Sequence, residues 1–184
     1  MKESHPPLPV KLFVGMLSPE PELFKACAEI LGSEYGPVEY ESDLFSWNNT
    51  DYYCDEMGEN ILRKFLFFER VMDPGKLPSV KHFTIGLEKR FAIFERDSLR
   101  RRINIDPGYV TEAKVVLATT KDFAHRLYIG DNLYGEVTLR YSTKERSFIP
   151  HEFTYPDFRT DVYLALFNGV RESLRVALHG RTQH

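Results

Sequence analysis

The segment AKVVLATT at residues 113–120 most constrains the fold, because it is continuously apolar and rich in β-branched residues. A segment of this composition is typical of a central strand buried on both faces of a sheet. Aromatic residues make up 14% of the chain, which also favours a sheet over an all-helical bundle. We therefore expect a protein built around a sheet in which this strand is central.

The segment HRLYIGDNLYGEVTLRY, which follows shortly after, predicts a hairpin. A three-residue loop at 130–132 would pair Tyr128 with Tyr134 and Arg126 with Glu136, so that like side chains lie opposite each other. A register with a two-residue loop would set an apolar leucine against Glu136, which the alternation of strand side chains disfavours. We expect the first register.

Three segments carry apolar residues at helical spacing. The first follows Ser18, a predicted cap, with Pro19 at the first helical position. The second begins near residue 77 and is expected to run to about residue 97. The third ends the chain, and either Asp157 or Thr160 would cap it.

Strands are predicted on both sides of the first helix, at 10–17 and 37–47, which gives a β-α-β unit near the start. A hairpin is expected around residues 57–60, with a second arm at 61–71 that could also be read as a helix. Asp106-Pro107-Gly108 predicts a turn that ends a short strand. The segment SFIPHEF is expected to add an edge strand.

These elements predict a single α+β domain at residues 10–178. Its sheet would be mixed but mostly antiparallel, with about seven or eight strands and three helices packed on it. Residues 1–9, which include three prolines, predict an extended N-terminal arm, and residues 179–184 a frayed tail.

Composition narrows the class of protein. The net charge of −3 provides no electrostatic footprint for nonspecific binding to nucleic acid, so DNA is not expected as a partner. The two cysteines, Cys27 and Cys54, make neither a disulfide framework nor a zinc site, and two free thiols indicate the reducing cytoplasm. We find neither a signal peptide nor an apolar stretch of membrane-spanning length, and therefore expect a soluble cytoplasmic protein with no membrane partner.

Motifs of well-known sites are missing. The one Gly-Lys pair lacks the upstream glycine and the following Ser or Thr of a P-loop. The spacings His-x-x-x-His and Cys-x-x-Cys are absent, so we predict no metal site. The chain also lacks the Gly-x-Ser-x-Gly elbow of hydrolases.

Ionisable residues of different types instead collect at predicted strand and helix ends, where they would form one site if those ends converge. Histidine titrates near neutral pH, which makes His125 the natural general acid or base, with Asp106 or Asp122 orienting it. Cationic and hydrogen-bonding groups near these ends would bind an anion. The predicted ligand-binding residues are Lys121, Arg126, Tyr155, Asp157 and Arg159.

Each of these residues also has a structural interpretation. Arg126 is expected to form a cross-strand ion pair with Glu136. Asp106 suits any tight turn, and Asp157 suits a helix cap. His125 shares a face of the hairpin with apolar residues, so a buried core histidine is as good an interpretation as a catalytic one.

The segments INIDPGYVTEAKVVLATTKDFAHRLY, YGEVTLRY and FTYPDFRT, together with FVGMLSP, YGPVEYES and DYYCDEMGENILRKF, resemble an uncharacterised prokaryotic family, the domain of unknown function numbered forty-four-sixteen. The resemblance extends from about Lys11 to Arg175. Similar proteins tend to have Trp at the position of Phe153 and Tyr at that of Phe158. Some carry the label "GTP-binding protein", and the sequence leaves the cofactor unknown.

Three functions follow as hypotheses. The first is a cytoplasmic protein that binds a small anionic ligand, a nucleotide or phosphoester, with an enzymatic role left open. The second is a non-catalytic module for a protein or RNA partner, suggested by aromatic residues interleaved with arginine on one hairpin face. That face would carry Arg126, Tyr128, Tyr134, Thr138 and Arg140. The third is a GTP-binding protein without a P-loop.

Overall fold

One antiparallel sheet of nine strands forms the centre of the computed structural model, which describes residues 5–47, 57–95 and 98–180. Strands β5 and β6 pair with each other in a separate two-stranded antiparallel sheet. The strands are β1 Val10–Ser18, β2 Val38–Glu41, β3 Phe45–Ser46, β4 Leu62–Met72, β5 Ile93–Glu95, β6 Ser98–Arg100, β7 Asn104–Val110, β8 Lys114–Thr119, β9 Arg126–Gly130, β10 Leu133–Ser142 and β11 Ser147–Ile149. The helices are α1 Pro21–Tyr35, α2 Leu77–Phe91 and α3 Asp161–His179, with single 3-10 turns at Pro74–Lys76 and Asp157–Arg159.

The strand order is β11-β10-β8-β7-β1-β4-β2, with β3 also beside β4 and β9 also beside β10. This confirms the predicted α+β class with three helices and a mostly antiparallel sheet, and every pairing in it is antiparallel. The predicted β-α-β unit is present, but β4 lies between its two strands. Because β4 runs antiparallel to both β1 and β2, those two strands are parallel to each other.

Helices cover both faces of the sheet because the side chains of β1 alternate between them. Leu12, Val14 and Met16 point towards α1 and α2 and form one core with them. Phe13 points to the other face, where it packs with aromatic residues of β4 and with α3. The predicted central strand, β8, lies between β7 and β10, with residues 115–118 buried.

The predicted turn at Asp106-Pro107-Gly108 is wrong, because all three residues lie within β7. They pair with Gly15, Val14 and Phe13 of β1. A Cβ on Gly108 would lie 2.3 Å from the Val116 carbonyl oxygen and 2.5 Å from Cζ of Phe13, so glycine is required for close packing of strands and not for a turn. Pairing of β7 with β8 covers only Gly108 to Val110.

Two predicted helix boundaries are also wrong. Helix α2 ends at Phe91 and not near residue 97, because Ala92 turns to extended backbone and the β-prone residues after it form β5. Helix α1 has Pro21, and not Pro19, in its first turn. Ser18 ends β1, and its Oγ accepts a hydrogen bond from the backbone N–H of Glu20, the residue directly before the helix.

The register predicted for the β9–β10 hairpin is confirmed, with Tyr128 opposite Tyr134 and Arg126 opposite Glu136. Its loop is shorter than predicted, since Gly130 already pairs with Leu133 and only residues 131–132 connect the strands. Both loop residues have left-handed φ angles, 52° and 59°, which Asp and Asn tolerate better than most residues. A bulge after Leu133 then restores the predicted register.

Residues 61–71 form a strand as predicted, whereas the other arm of that predicted hairpin lies outside the described residues, as does Cys54. SFIPHEF supplies edge strand β11. Cys27 is a buried free thiol on α1, and burial raises its pKa to about 12. Among the described helices, none has the length and apolar character needed to cross a membrane.

Candidate functional site

A cavity of about 710 Å³ opens where the ends of β1, β4, β7 and β8 meet α2 and the segment before α3. This volume lies within the range usual for small-molecule sites. Its walls carry five cationic side chains: Arg63, Lys81, Lys89, Arg101 and Lys121. They also carry four carboxylates: Glu88, Asp106, Glu136 and Asp157. The cavity therefore combines a concave shape with a high density of charged side chains.

A glycine in β1, Gly15, leaves space for a charged side chain of the cavity wall. Gly15 of β1 lies directly opposite Phe65 of β4 on one side and Asp106 of β7 on the other. A Cβ on Gly15 would lie 3.0 Å from the Phe65 ring and 3.1 Å from Nη1 of Arg63. The missing side chain thus leaves the room that the Arg63 guanidinium occupies.

Arg63 forms a buried ion pair with Asp157. Its Nη2 donates to Oδ2 at 3.0 Å, and each side chain is only 8% exposed. The indole Nε1 of Trp47 donates to the same carboxylate oxygen at 3.3 Å. Nε of Arg63 is also buried but has no hydrogen-bond partner, which is uncommon for a buried polar group.

A second ion pair, between buried Lys81 and half-buried Asp106, joins α2 to β7. Nζ of Lys81 donates to Oδ1 of Asp106 at 3.0 Å and to the Ile105 carbonyl at 2.9 Å. Ile105 and Asp106 belong to the part of β7 that does not pair with β8. Nδ2 of Asn104 donates to the other oxygen of Asp106 at 2.6 Å. Burial alone would raise the pKa of Asp106, but the Lys81 ammonium and these hydrogen bonds hold it below its usual value.

Glu88 lies about two turns beyond Lys81 on α2. Its Oε1 accepts a hydrogen bond from the backbone N–H of Ile105 at 2.6 Å. Burial raises the pKa of Glu88 in spite of the nearby Lys81 ammonium, and the Asp106 carboxylate adds to the effect. The cavity therefore contains two carboxyl groups whose pKa values are shifted in opposite directions, a feature that clusters at functional sites.

The predicted pair between Arg126 and Glu136 is confirmed at 2.7 Å and is almost fully buried. Arg126 also donates to the Lys121 carbonyl at 3.0 Å and to the hydroxyl of Tyr155 at 2.7 Å. Partial burial and the Glu136 carboxylate raise the pKa of Tyr155. Arg126 thus ties together the three segments that form this wall.

His125 lies behind this wall. Its Nε2 is 3.4 Å from Oε2 of Glu136, and its ring stacks on that of Phe153 at 4.5 Å and nearly parallel. One fifth of its side chain is exposed, so the interpretation as a buried core histidine is wrong. His125 reaches the cavity only through Glu136, which lines it.

The structure brings together part of the predicted site. Asp106, Lys121, Tyr155 and Asp157 line the cavity, and Arg126 and His125 contact its wall. Asp122 is exposed and does not line it. Arg159 instead donates to the carbonyl oxygens of His151, Glu152 and Thr154 and so braces the loop that carries Tyr155.

Asp157 does not cap α3. That role belongs to Thr160, whose side chain accepts a hydrogen bond from the Tyr163 N–H, whereas the Asp157 carboxylate faces Arg63 and Trp47. Sequence reasoning could not identify this role, because Arg63 lies 94 residues away in the chain.

Six charged residues of the cavity were not predicted as site residues: Arg63, Lys81, Glu88, Lys89, Arg101 and Glu136. A signal was present for two of them. Arg63 alternates with the apolar residues Ile61, Phe65 and Phe67, so it occupies an inward position of β4. Lys81 lies four residues after Leu77, so it occupies the apolar stripe of α2. A lone charge at a core position indicates a buried partner or a site.

The hairpin face suggested for RNA or protein binding is not continuous. Arg126 and Thr138 are buried, whereas Tyr128 and Arg140 are exposed. A bulge between Val137 and Leu139 breaks the alternation of β10. No group of three or more potential metal ligands is found within the described ranges.

Comparison with known proteins identifies the family. Searches of curated proteins and of solved structures gave no significant match. Residues 8–174 match the family described as "Domain of unknown function (DUF4416)", which agrees with the resemblance drawn from the quoted segments. Since the match covers most of the chain, from before β1 into α3, the protein belongs to the DUF4416 family.

Proposed function

We propose that the cavity binds a small anionic ligand of the phosphoester type. The observation that carries the proposal is the presence of five cationic side chains, two guanidinium and three ammonium groups, around one cavity.

The surrounding charges favour an anion. Lys89 and Lys121 line the cavity from its exposed rim, and Arg101 lines it from a half-buried position. Phosphate esters are bound in proteins by such guanidinium and ammonium groups. The buried free thiol of Cys27 supports a reducing cytoplasm as the place of action.

A catalytic role for His125, Asp122 and Asp106 stays a prediction. Of the three, Asp106 lines the cavity, and its contact with Lys81 favours the carboxylate form. His125 would act on a ligand through Glu136. GTP binding without a P-loop also stays a prediction, and the same titrations test it.

Isothermal titration calorimetry tests the proposal with inorganic phosphate, simple phosphomonoesters, nucleoside monophosphates and GTP. Binding of at least one phosphorylated compound is expected. Lys121→Ala should weaken it roughly fivefold, the effect of removing about 1 kcal/mol. Lys144→Ala is the matched control, because it removes the same charge from a side chain that is 92% exposed in the β10–β11 turn.

Arg63→Lys provides the sharper variant, since it keeps the positive charge beside Asp157 but removes the guanidinium group, which binds anionic oxygens through more than one N–H group. A loss of at least about tenfold in affinity is expected, with the circular dichroism spectrum unchanged. If no phosphorylated compound binds to the wild-type protein, the proposal is wrong.

A further inference from the structure

We infer that the ligand is a phosphoester whose organic part is apolar, and that the two-stranded sheet of β5 and β6 contacts this part. The inference rests on the proposed function and specifies the ligand class of the same cavity. It follows from the position of one apolar cross-strand pair, Phe94 and Leu99, beside the cavity.

One face of the β5–β6 sheet is turned towards the cavity. Leu99 and Arg101 line the cavity, whereas Arg100, which lies between them, does not. Because successive side chains of a strand point to opposite faces, the face that carries Leu99 is the one beside the cavity. Phe94 lies directly opposite Leu99 in the register and therefore shares this face.

This face is apolar and accessible. The exposed fraction of the side chain is 75% for Phe94 and 59% for Leu99. The other two register pairs of the sheet belong to the opposite face and contain charged or polar residues. Adjacent apolar side chains that are exposed beside a cavity are typical of a surface that a ligand covers. A ligand that reaches this pair from the cavity therefore needs an apolar part.

The apolar surface continues along the end of α2. Ile85 and Ala92 line the cavity at helical spacing, and each is half-buried, so that part of each side chain is accessible. Lys89 lies four residues after Ile85 on the same side of the helix and is an exposed cation that also lines the cavity. This wall thus places an ammonium group among apolar side chains. A phosphoester with an apolar organic part matches both, because its phosphate contacts the cation and its organic part buries the apolar surface.

The β5–β6 sheet is weakly supported by the rest of the protein. Every residue of β5 and β6 is exposed, and an isolated two-stranded sheet is only marginally stable in water. An apolar group bound against Phe94 and Leu99 would bury both side chains and stabilise the sheet. Ligand binding is therefore expected to slow the hydrogen exchange of backbone amides in β5 and β6.

The test is calorimetric titration of the full chain with four monoesters that carry the same phosphate group. Hexyl phosphate and phenyl phosphate have an extended apolar part, whereas the organic part of methyl phosphate is small and that of glycerol phosphate is hydroxylated. Hexyl or phenyl phosphate should bind at least about tenfold more tightly than the other two, because burial of a larger apolar surface contributes more to affinity.

Two variants locate the apolar part of the ligand. Phe94→Ser and Leu99→Ser should each weaken binding of the preferred apolar ester at least about threefold and leave binding of methyl phosphate unchanged. Ile93→Ser is the matched control, because Ile93 is an exposed apolar residue on the opposite face of the same sheet, and it should change neither affinity. Hydrogen exchange measured by mass spectrometry should show protection of β5 and β6 by the apolar ester and not by methyl phosphate.

The outcomes separate the inference from the proposed function. If methyl or glycerol phosphate binds as tightly as both apolar esters, the ligand class is wrong but anion binding stands. If Ile93→Ser weakens binding of the apolar ester as much as Phe94→Ser and Leu99→Ser do, the assigned face is wrong. Failure of every phosphorylated compound to bind would overturn the proposed function, and this inference with it.

Discussion

Arg63 and Asp157 are 94 residues apart in the chain, yet Nη2 of Arg63 donates to Oδ2 of Asp157 at 3.0 Å, with each side chain only 8% exposed. Removal of one member of a buried pair leaves the other charge uncompensated. We therefore expect Asp157→Asn and Arg63→Met each to lower the free energy of unfolding by roughly 3 kcal/mol, measured by urea denaturation.

The double variant Arg63→Met/Asp157→Asn should lose at least about 1 kcal/mol less than the sum of the two single variants, because the pair is lost only once. Strictly additive losses would contradict the pairing. Lys144→Ala, which disrupts an exposed contact with Glu145, should leave the free energy of unfolding unchanged.

Gly108 should tolerate no side chain. A Cβ there would overlap the Val116 carbonyl oxygen at 2.3 Å, and backbone cannot move aside as a flexible side chain can. Gly108→Ala should lower the free energy of unfolding by at least about 2 kcal/mol. Gly86→Ala is the control, because Gly86 lies within α2 with open space around its Cα. There alanine should stabilise the protein by about 0.5–1 kcal/mol, so thermal denaturation should move in opposite directions for the two variants.

The stabilising effect of Asp106 should disappear in acid. The pKa of Asp106 is lower in the folded protein than its usual value, so its carboxylate stabilises the fold above about pH 3.9, the value for an unfolded chain. The contribution is lost as pH falls from there through the folded pKa. Urea denaturation should show wild type more stable than Asp106→Asn at pH 7, with a smaller difference at pH 3. A difference that does not vary with pH would contradict the contact with Lys81.

The contribution of Glu88 to stability should depend on pH in the opposite direction. Burial raises the pKa of Glu88, so its protonated form suits the fold, and its contribution is fully present below about pH 4.3, the unfolded value. That contribution is lost as pH rises through the folded pKa. Glu88→Gln should therefore gain stability relative to wild type between pH 4 and pH 7. If the two proteins respond to pH in parallel, Glu88 does not titrate in the way its surroundings indicate.

Sequence patterns correctly predicted those elements whose structure depends on residues close together in the chain. The register of the β9–β10 hairpin followed from pairing Tyr128 with Tyr134, and the position of β8 followed from its composition. Asp106-Pro107-Gly108 was misread because proline and glycine suit a turn and also suit a strand where packing excludes a side chain. The difference lies in contacts of Gly108 with Phe13, on a strand far away in the sequence.

The site was only partly predictable for the same reason. Lys121 and Tyr155 were identified because polar residues after strands and before helices collect at sheet ends. Arg63 and Lys81 were missed because their carboxylate partners lie on other elements, so that each appears in the sequence as a lone charge among apolar residues. Their positions on the inward faces of β4 and α2 were the available signal.

The most direct test of the central claim is nuclear magnetic resonance of arginine Nε–H groups in the protein labelled with nitrogen-15. Comparison with Arg63→Lys identifies the Arg63 signal. Because Arg63 lines the cavity, an anionic ligand bound there should shift this signal strongly when the best-binding phosphoester is added. The Nε–H signal of Arg175, an exposed arginine on α3, should not move. An Arg63 signal that stays in place at a saturating concentration of a bound phosphoester would contradict the account.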